Sequence, residues 1–86
     1  MPEPRRIAGE LHLALVTVAE VYRVEPTWLA LVYEHGLLGA GVREEATVYL
    51  PAARLDLVAR VVHLHVVLGL DVDAIAVALA RVESRD

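Results

Sequence analysis

Phenylalanine, cysteine, lysine, asparagine and glutamine are all missing from this chain of 86 residues. Without cysteine there is neither a disulfide framework nor thiolate chemistry. Without phenylalanine, and with aromatics reduced to Trp28, Tyr22, Tyr33 and Tyr49, a core has to be built from valine, leucine, isoleucine and alanine. Arginine is left as the only permanent cation among the side chains. Eight arginines stand against twelve acids, for a net charge of −4. That balance disfavours a nucleic-acid surface and is compatible with a basic protein partner. The joint absence of Asn, Gln, Cys and Lys fits a GC-rich genome, and loss of the thermolabile types fits a thermophile. The only serine, Ser84, stands near the end, where a nucleophile is not expected.

What is abundant is apolar. Hydrophobic residues make up 57% of the chain. One small core cannot hide that much apolar surface, so a partner or self-association is expected. The uninterrupted apolar runs are far too short to span a membrane. Met1–Arg6 is not followed by an apolar run of signal-peptide length, and a cytoplasmic location is expected. Residues 1–8, with two prolines, read as a flexible N-terminal tail, and 9–86 as a single domain.

Along that domain, Glu10–Leu15 partly alternates and predicts a short strand. Thr17-Val18-Ala19-Glu20 has the spacing of a capping box, which predicts a first helix over about Val18–Arg23. Val24-Glu25 is a tight turn. Pro26 suits the first position of a second helix that ends at Gly36. Two short helices joined this way make a helix-turn-helix. Leu37–Glu45, rich in glycine, reads as loop, and Ala46–Leu50 as a strand that pairs with the first to form a small wing. Pro51 opens a third helix over about Pro51–Leu68. Gly69 closes it, Asp71 caps the next, and a fourth helix follows over about Val72–Glu83.

The third helix carries two apolar stripes. Leu55, Val58, Ala59, Val62 and Val66 form one; Leu57, Val61, Leu64 and Leu68 form the other. One stripe covers the core. The second needs the fourth helix folding back through Val72, Ile75, Leu79 and Val82, or a second copy, or a partner. The fold class expected is mainly α: a MerR-like winged helix-turn-helix with a small β wing and two C-terminal helices.

Chemistry is harder to find. His63 and His65 are two apart on a helix and point to different sides, so they do not chelate one ion, and His12 and His35 lie in other elements. Asp71 is explained as a cap, and Asp73 also favours a helix start. No phosphate-cradling glycine motif is present. No metal, no cofactor and no enzyme activity are expected. The second helix, which would read DNA in a helix-turn-helix protein, offers Thr27, Trp28, Ala30, Leu31, Tyr33, Glu34 and His35 but no permanent cation. In the wing, Arg43 is followed directly by Glu44 and Glu45.

The order of strand, helix-turn-helix, wing and long helix, followed by Leu68-Gly69-Leu70-Asp71 and Ile75-Ala76-Val77-Ala78-Leu79, resembles the MerR-like chaperone-modulator family, of which CbpM is the type. The resemblance covers about residues 10–82. It implies a non-enzymatic, dimeric protein that binds the J-domain of a CbpA/DnaJ-type co-chaperone and limits its engagement of DnaK. Ala30 stands where MerR regulators carry a DNA-holding arginine, and Arg23 where their turns commonly have glycine. A basic J-domain helix needs carboxylates beside apolar contact. The partner surface expected is therefore the third and fourth helices, where Asp56 and Arg60 flank Leu57, Val61 and Leu64, and where Asp71 and Asp73 crowd the fourth-helix start. The alternatives are a MerR-like transcription regulator binding duplex DNA, and a purely structural or assembly subunit.

Overall fold

A computed structural model describes residues 4–83; Ser84 and the first three residues of the expected tail lie outside them. The chain runs β1 (Arg5–Ile7), β2 (Glu10–Ala14), α1 (Leu15–Tyr22), α2 (Pro26–Glu34), β3 (Val42–Glu44), β4 (Thr47–Pro51), a 3-10 turn (Ala52–Arg54), α3 (Leu55–Val66) and α4 (Val72–Glu83). The strands form one antiparallel sheet in the order β1-β2-β4-β3. Four helices pack with this curled four-stranded sheet in an α+β fold, which overturns the mainly α class with a small wing and two C-terminal helices.

The correction comes from two edge strands that the sequence does not advertise. Ile7 pairs with Glu10, and Glu44 with Thr47, so each hairpin turns in two residues. Turns that short need left-handed backbone, usually signalled by Asn-Gly or Asp-Gly. Here Ala8 (φ 52), Gly9 (φ 82) and Glu45 (φ 55) supply it. Residues 5–7, expected in a flexible tail, are thus an outer strand, and Val42–Glu44, expected in a loop, is the other.

Register decides which side chains share a face. Leu13 lies opposite Leu50 and both pack against the helical core. On the reverse face His12, Ala14 and Tyr49 are buried outside the main hydrophobic cluster. Arg5 reaches over the Tyr49 ring, 5.8 Å from its centroid, and its Nη1 lies 3.3 Å from Glu44 Oε2, joining the two sheet edges. Both partners are partly exposed, so the pair itself contributes at most about 1 kcal/mol.

The helices end as their polar groups require. α1 closes with Arg23 in the left-handed region (φ 57); its N–H bonds Glu20 O, and that of Val24 bonds Ala19 O. This is a Schellman closure on a residue with a Cβ, which costs about 1 kcal/mol relative to glycine. α2 repeats it with Gly36. α3 is stopped by Gly69 (φ 70), whose N–H bonds His65 O at 3.0 Å. Asp71 then caps α4, its Oδ1 accepting the Ala74 N–H at 2.8 Å. The expected capping box of Thr17 and Glu20 does not form, because α1 begins at Leu15 with Ala14 as its cap. Thr17 is therefore already inside the helix, and its Oγ1 is buried without a partner. Pro51, expected to open α3, ends β4 instead.

The core lies between the sheet and all four helices. Leu29, Leu38, Leu50, Ile75, Val18, Val32, Val58 and Val61 are its fully buried side chains. α4 returns onto α3 and covers part of its second stripe: Val61, Val72 and Ile75 are buried in one cluster, Leu57, Leu64 and Leu79 are half-buried against it, and Leu68 stays exposed. The side chain of Val82 lies outside the described residues.

Thr17 gives this account a test of sign. If its hydroxyl capped a helix, Thr17→Val would destabilise the chain. With the hydroxyl buried and unpaired, Thr17→Val keeps the shape and removes the desolvation cost, so we expect a gain of about 1 kcal/mol in urea denaturation.

Candidate functional site

The expected partner residues do not form one surface. Asp56 and Arg60 are exposed on the first half of α3. Leu57 and Leu64 are half-buried against the core. Val61 is wholly inside, at 0% exposure, and has no surface to offer a partner. That corrects its assignment, and the cause is α4, which covers that part of the second stripe. Asp71 and Asp73 are exposed, but at the far end of α3, roughly 15 Å along the helix axis from Asp56.

What Asp71 and Asp73 do meet is α2. Together with Trp28, Leu31, His35 and His65 they line a cleft of about 330 Å³. Trp28, Leu31 and His35 are spaced i, i+3, i+7, so they fall on one face of α2. His65 comes from the last turn of α3 and stacks on the Trp28 indole, with centroids 4.2 Å apart and planes at 22°. The stack ties α2 to the α3–α4 joint and forms one wall of the cleft.

Both imidazoles are held by backbone. His65 Nδ1–H donates to Leu70 O at 3.0 Å, and His35 Nδ1–H donates to Leu31 O at 3.0 Å. A carbonyl can only accept, so each ring carries a proton on Nδ1, and Nε2 is the acceptor of the neutral form. His35 Nε2 lies 3.9 Å from Asp73 Oδ1, close enough to pair once the ring is protonated. The Asp73 side chain is otherwise in solvent, 91% exposed.

A second cleft, of about 310 Å³, flanks α2 on its other side. Val16, Ala30, Tyr33 and Val48 line it, with Glu34 and Arg43 of opposite charge. Gly41 lets this side close. A Cβ there would stand 2.8 Å from Tyr49 O and 3.1 Å from Tyr33 Cε1, so only glycine lets α2 lie this near the β3–β4 hairpin.

The sequence pattern missed Trp28, Leu31, His35 and His65 as members of a site. The i, i+3, i+7 spacing on α2 was a usable signal. The pairing of Trp28 with His65, 37 positions on, was not. Among the described residues no group of three or more His, Asp or Glu is placed to hold a metal ion, and no helix is long and apolar enough to cross a membrane. Comparison with protein-family models, with curated proteins and with solved structures gives no match. The cleft sets carboxylates and imidazole nitrogens around an aromatic wall, at the junction of three helices.

His65 is the hinge of that wall. His65→Ala removes the ring contact and the bond to Leu70 O, and each is worth about 1 kcal/mol. We expect a loss of about 2 kcal/mol in stability with altered Trp28 emission. His65→Phe restores the stack but not the hydrogen bond, and should recover roughly half of that loss.

Proposed function

We propose that the chain is a non-enzymatic chaperone modulator of the CbpM kind, which binds the J-domain of a CbpA/DnaJ-type co-chaperone in the cytoplasm and limits its engagement of DnaK. The resemblance in the Leu68–Leu79 motif suggests the partner. The observation that carries the reading is the exposed side of α2. Thr27, Leu31, Glu34 and His35 stand there, without a permanent cation and with Asp71 and Asp73 at the edge. Duplex DNA binding draws its affinity from cations set against phosphates, and this surface has none to set. A basic helix finds carboxylates beside apolar side chains.

Self-association belongs to the same proposal. Val66, Val67 and Leu68, at the end of α3, are 64, 63 and 58% exposed. Three consecutive exposed apolar residues suit a dimer contact better than water. Light scattering should give twice the chain mass, and Val67→Asp with Leu68→Glu should return the mass of one chain.

Calorimetry with the cognate J-domain tests the function. Binding is expected, weakening as salt rises, and the J-domain's stimulation of DnaK should fall as the complex forms. A J-domain that neither binds nor loses its stimulation overturns the proposal. Sequence-selective, sub-micromolar binding to duplex DNA at low salt would install the regulator reading in its place.

A further inference from the structure

The cleft between α2 and the α3–α4 joint has a donor–acceptor inventory that selects its guest. With their Nδ1 protons committed to Leu31 O and Leu70 O, His35 and His65 keep Nε2 as acceptors. Asp71 spends Oδ1 on the Ala74 N–H, and its second oxygen has no such duty. Asp73 is nearly free in solvent. The two carboxylates that line the cleft thus present acceptors, and each imidazole adds Nε2 in its neutral form. A guest that answers them must be rich in donors and must carry positive charge.

The start of α4 works against this, because the N-terminus of a helix carries about half a positive charge. Two carboxylates outweigh it, leaving the mouth with a net charge of about −1.5. An anionic guest, such as a phosphate, would have to displace that balance. A metal ion finds no group of three ligands among the described residues.

The apolar part of the cleft narrows the choice among cations. Trp28, His65, Leu31 and Val72 give flat and aliphatic surface. A guanidinium is planar, weakly hydrated, stacks on aromatic rings and forks five N–H donors. An ammonium is a compact, strongly hydrated point charge that gains less from such a wall.

We infer that this cleft is a pocket for a single arginine side chain projecting from a basic helix of the protein partner. The guanidinium pairs with Asp73 and with the spare oxygen of Asp71, and its methylenes cover Leu31 and Val72. The inference rests on the reading above that the partner presents a basic helix; it adds the residue type that is read and the place where it is read.

The test uses the full chain and a synthetic, tryptophan-free helical peptide with arginines along one face. Versions with lysine or citrulline at those positions accompany it. Trp28 is the only tryptophan, so its emission reports on the cleft wall directly. The arginine peptide should shift that emission on binding. Lysine should weaken binding severalfold, and citrulline, which keeps the shape without the charge, by tenfold or more. Asp73→Asn should weaken the arginine peptide about fivefold, and Asp71→Asn with Asp73→Asn more than tenfold. Asparagine is as good an N-cap as aspartate, so the double variant keeps α4. Asp56→Asn, which lies outside the cleft, should change nothing.

Citrulline binding as tightly as arginine, or the double variant binding as tightly as the parent, overturns the pocket. The two proposals fail separately. A J-domain that does not bind, beside an arginine peptide that binds through Asp73, removes the modulator reading and leaves the pocket. A J-domain whose affinity ignores the double variant removes the pocket and leaves the modulator.

Discussion

The reversal between α3 and α4 is the constraint on which both the core and the cleft depend. α3 ends at Val66; Gly69 turns the chain in a left-handed conformation within the connection of residues 67–71, and Asp71 starts α4 by accepting the Ala74 N–H. A connection so short leaves α4 little freedom but to lie back along α3. That return buries Ile75 and Val72 in one cluster with Val61 and Val62. Each such aliphatic side chain is worth about 1.5–3 kcal/mol, more than any polar contact in the molecule. The same reversal brings Asp71 and Asp73 to the side of α2, and Leu70 O under His65. The cleft is a by-product of core packing, held by interactions far stronger than those it offers a guest.

The sheet solves a different problem. A chain without phenylalanine has few large side chains with which to cover both faces of four strands. Here one face is covered by the helical core through Leu13 and Leu50, and on the other His12, Ala14 and Tyr49 are buried outside the main hydrophobic cluster. Arg5 lies on that second face, its guanidinium over Tyr49 and its end beside Glu44. The salt bridge is weak, but the coverage is not a matter of charge. A long side chain laid over Tyr49 helps keep water from that ring.

Much of this was legible locally and little of it at long range. Pro26 does open a helix, Gly69 does close one, and Asp71 caps as its position implies, because each depends on neighbours within four residues. The two apolar stripes on α3 called for covering elements, and α4 supplies part of that cover, leaving Val66 of one stripe and Leu68 of the other exposed. Thr17 shows the limit of a local signal: the box spacing is present, yet the helix starts earlier because Leu15 and Val18 are needed in the core. The edge strands escaped notice because Ala8 and Glu45 accept left-handed backbone without the usual residues. Val61 looked like surface only while α4 had no fixed position. Trp28 and His65 meet across distance that no periodicity measures.

The placement of the charges also bears on what kind of binding the proposed pocket would perform. Asp73 is almost fully solvated, so its attraction for a cation is screened by salt and adds more to the rate of encounter than to the depth of the well. Trp28, His65 and Leu31 lie partly covered, and contact with them is made only after docking, where it slows release. On the proposed reading, a cleft built in this way would gather basic helices quickly and keep those whose side chains fit the stack. Charge alone would hold any basic surface, nucleic-acid-binding proteins included. The aromatic wall would then separate one basic helix from another, and it is fixed in place by the hydrogen bond of His65 to the backbone carbonyl of Leu70. If the cleft takes the proposed guest, its selectivity would reside in the joint between α3 and α4, the element that also closes the core.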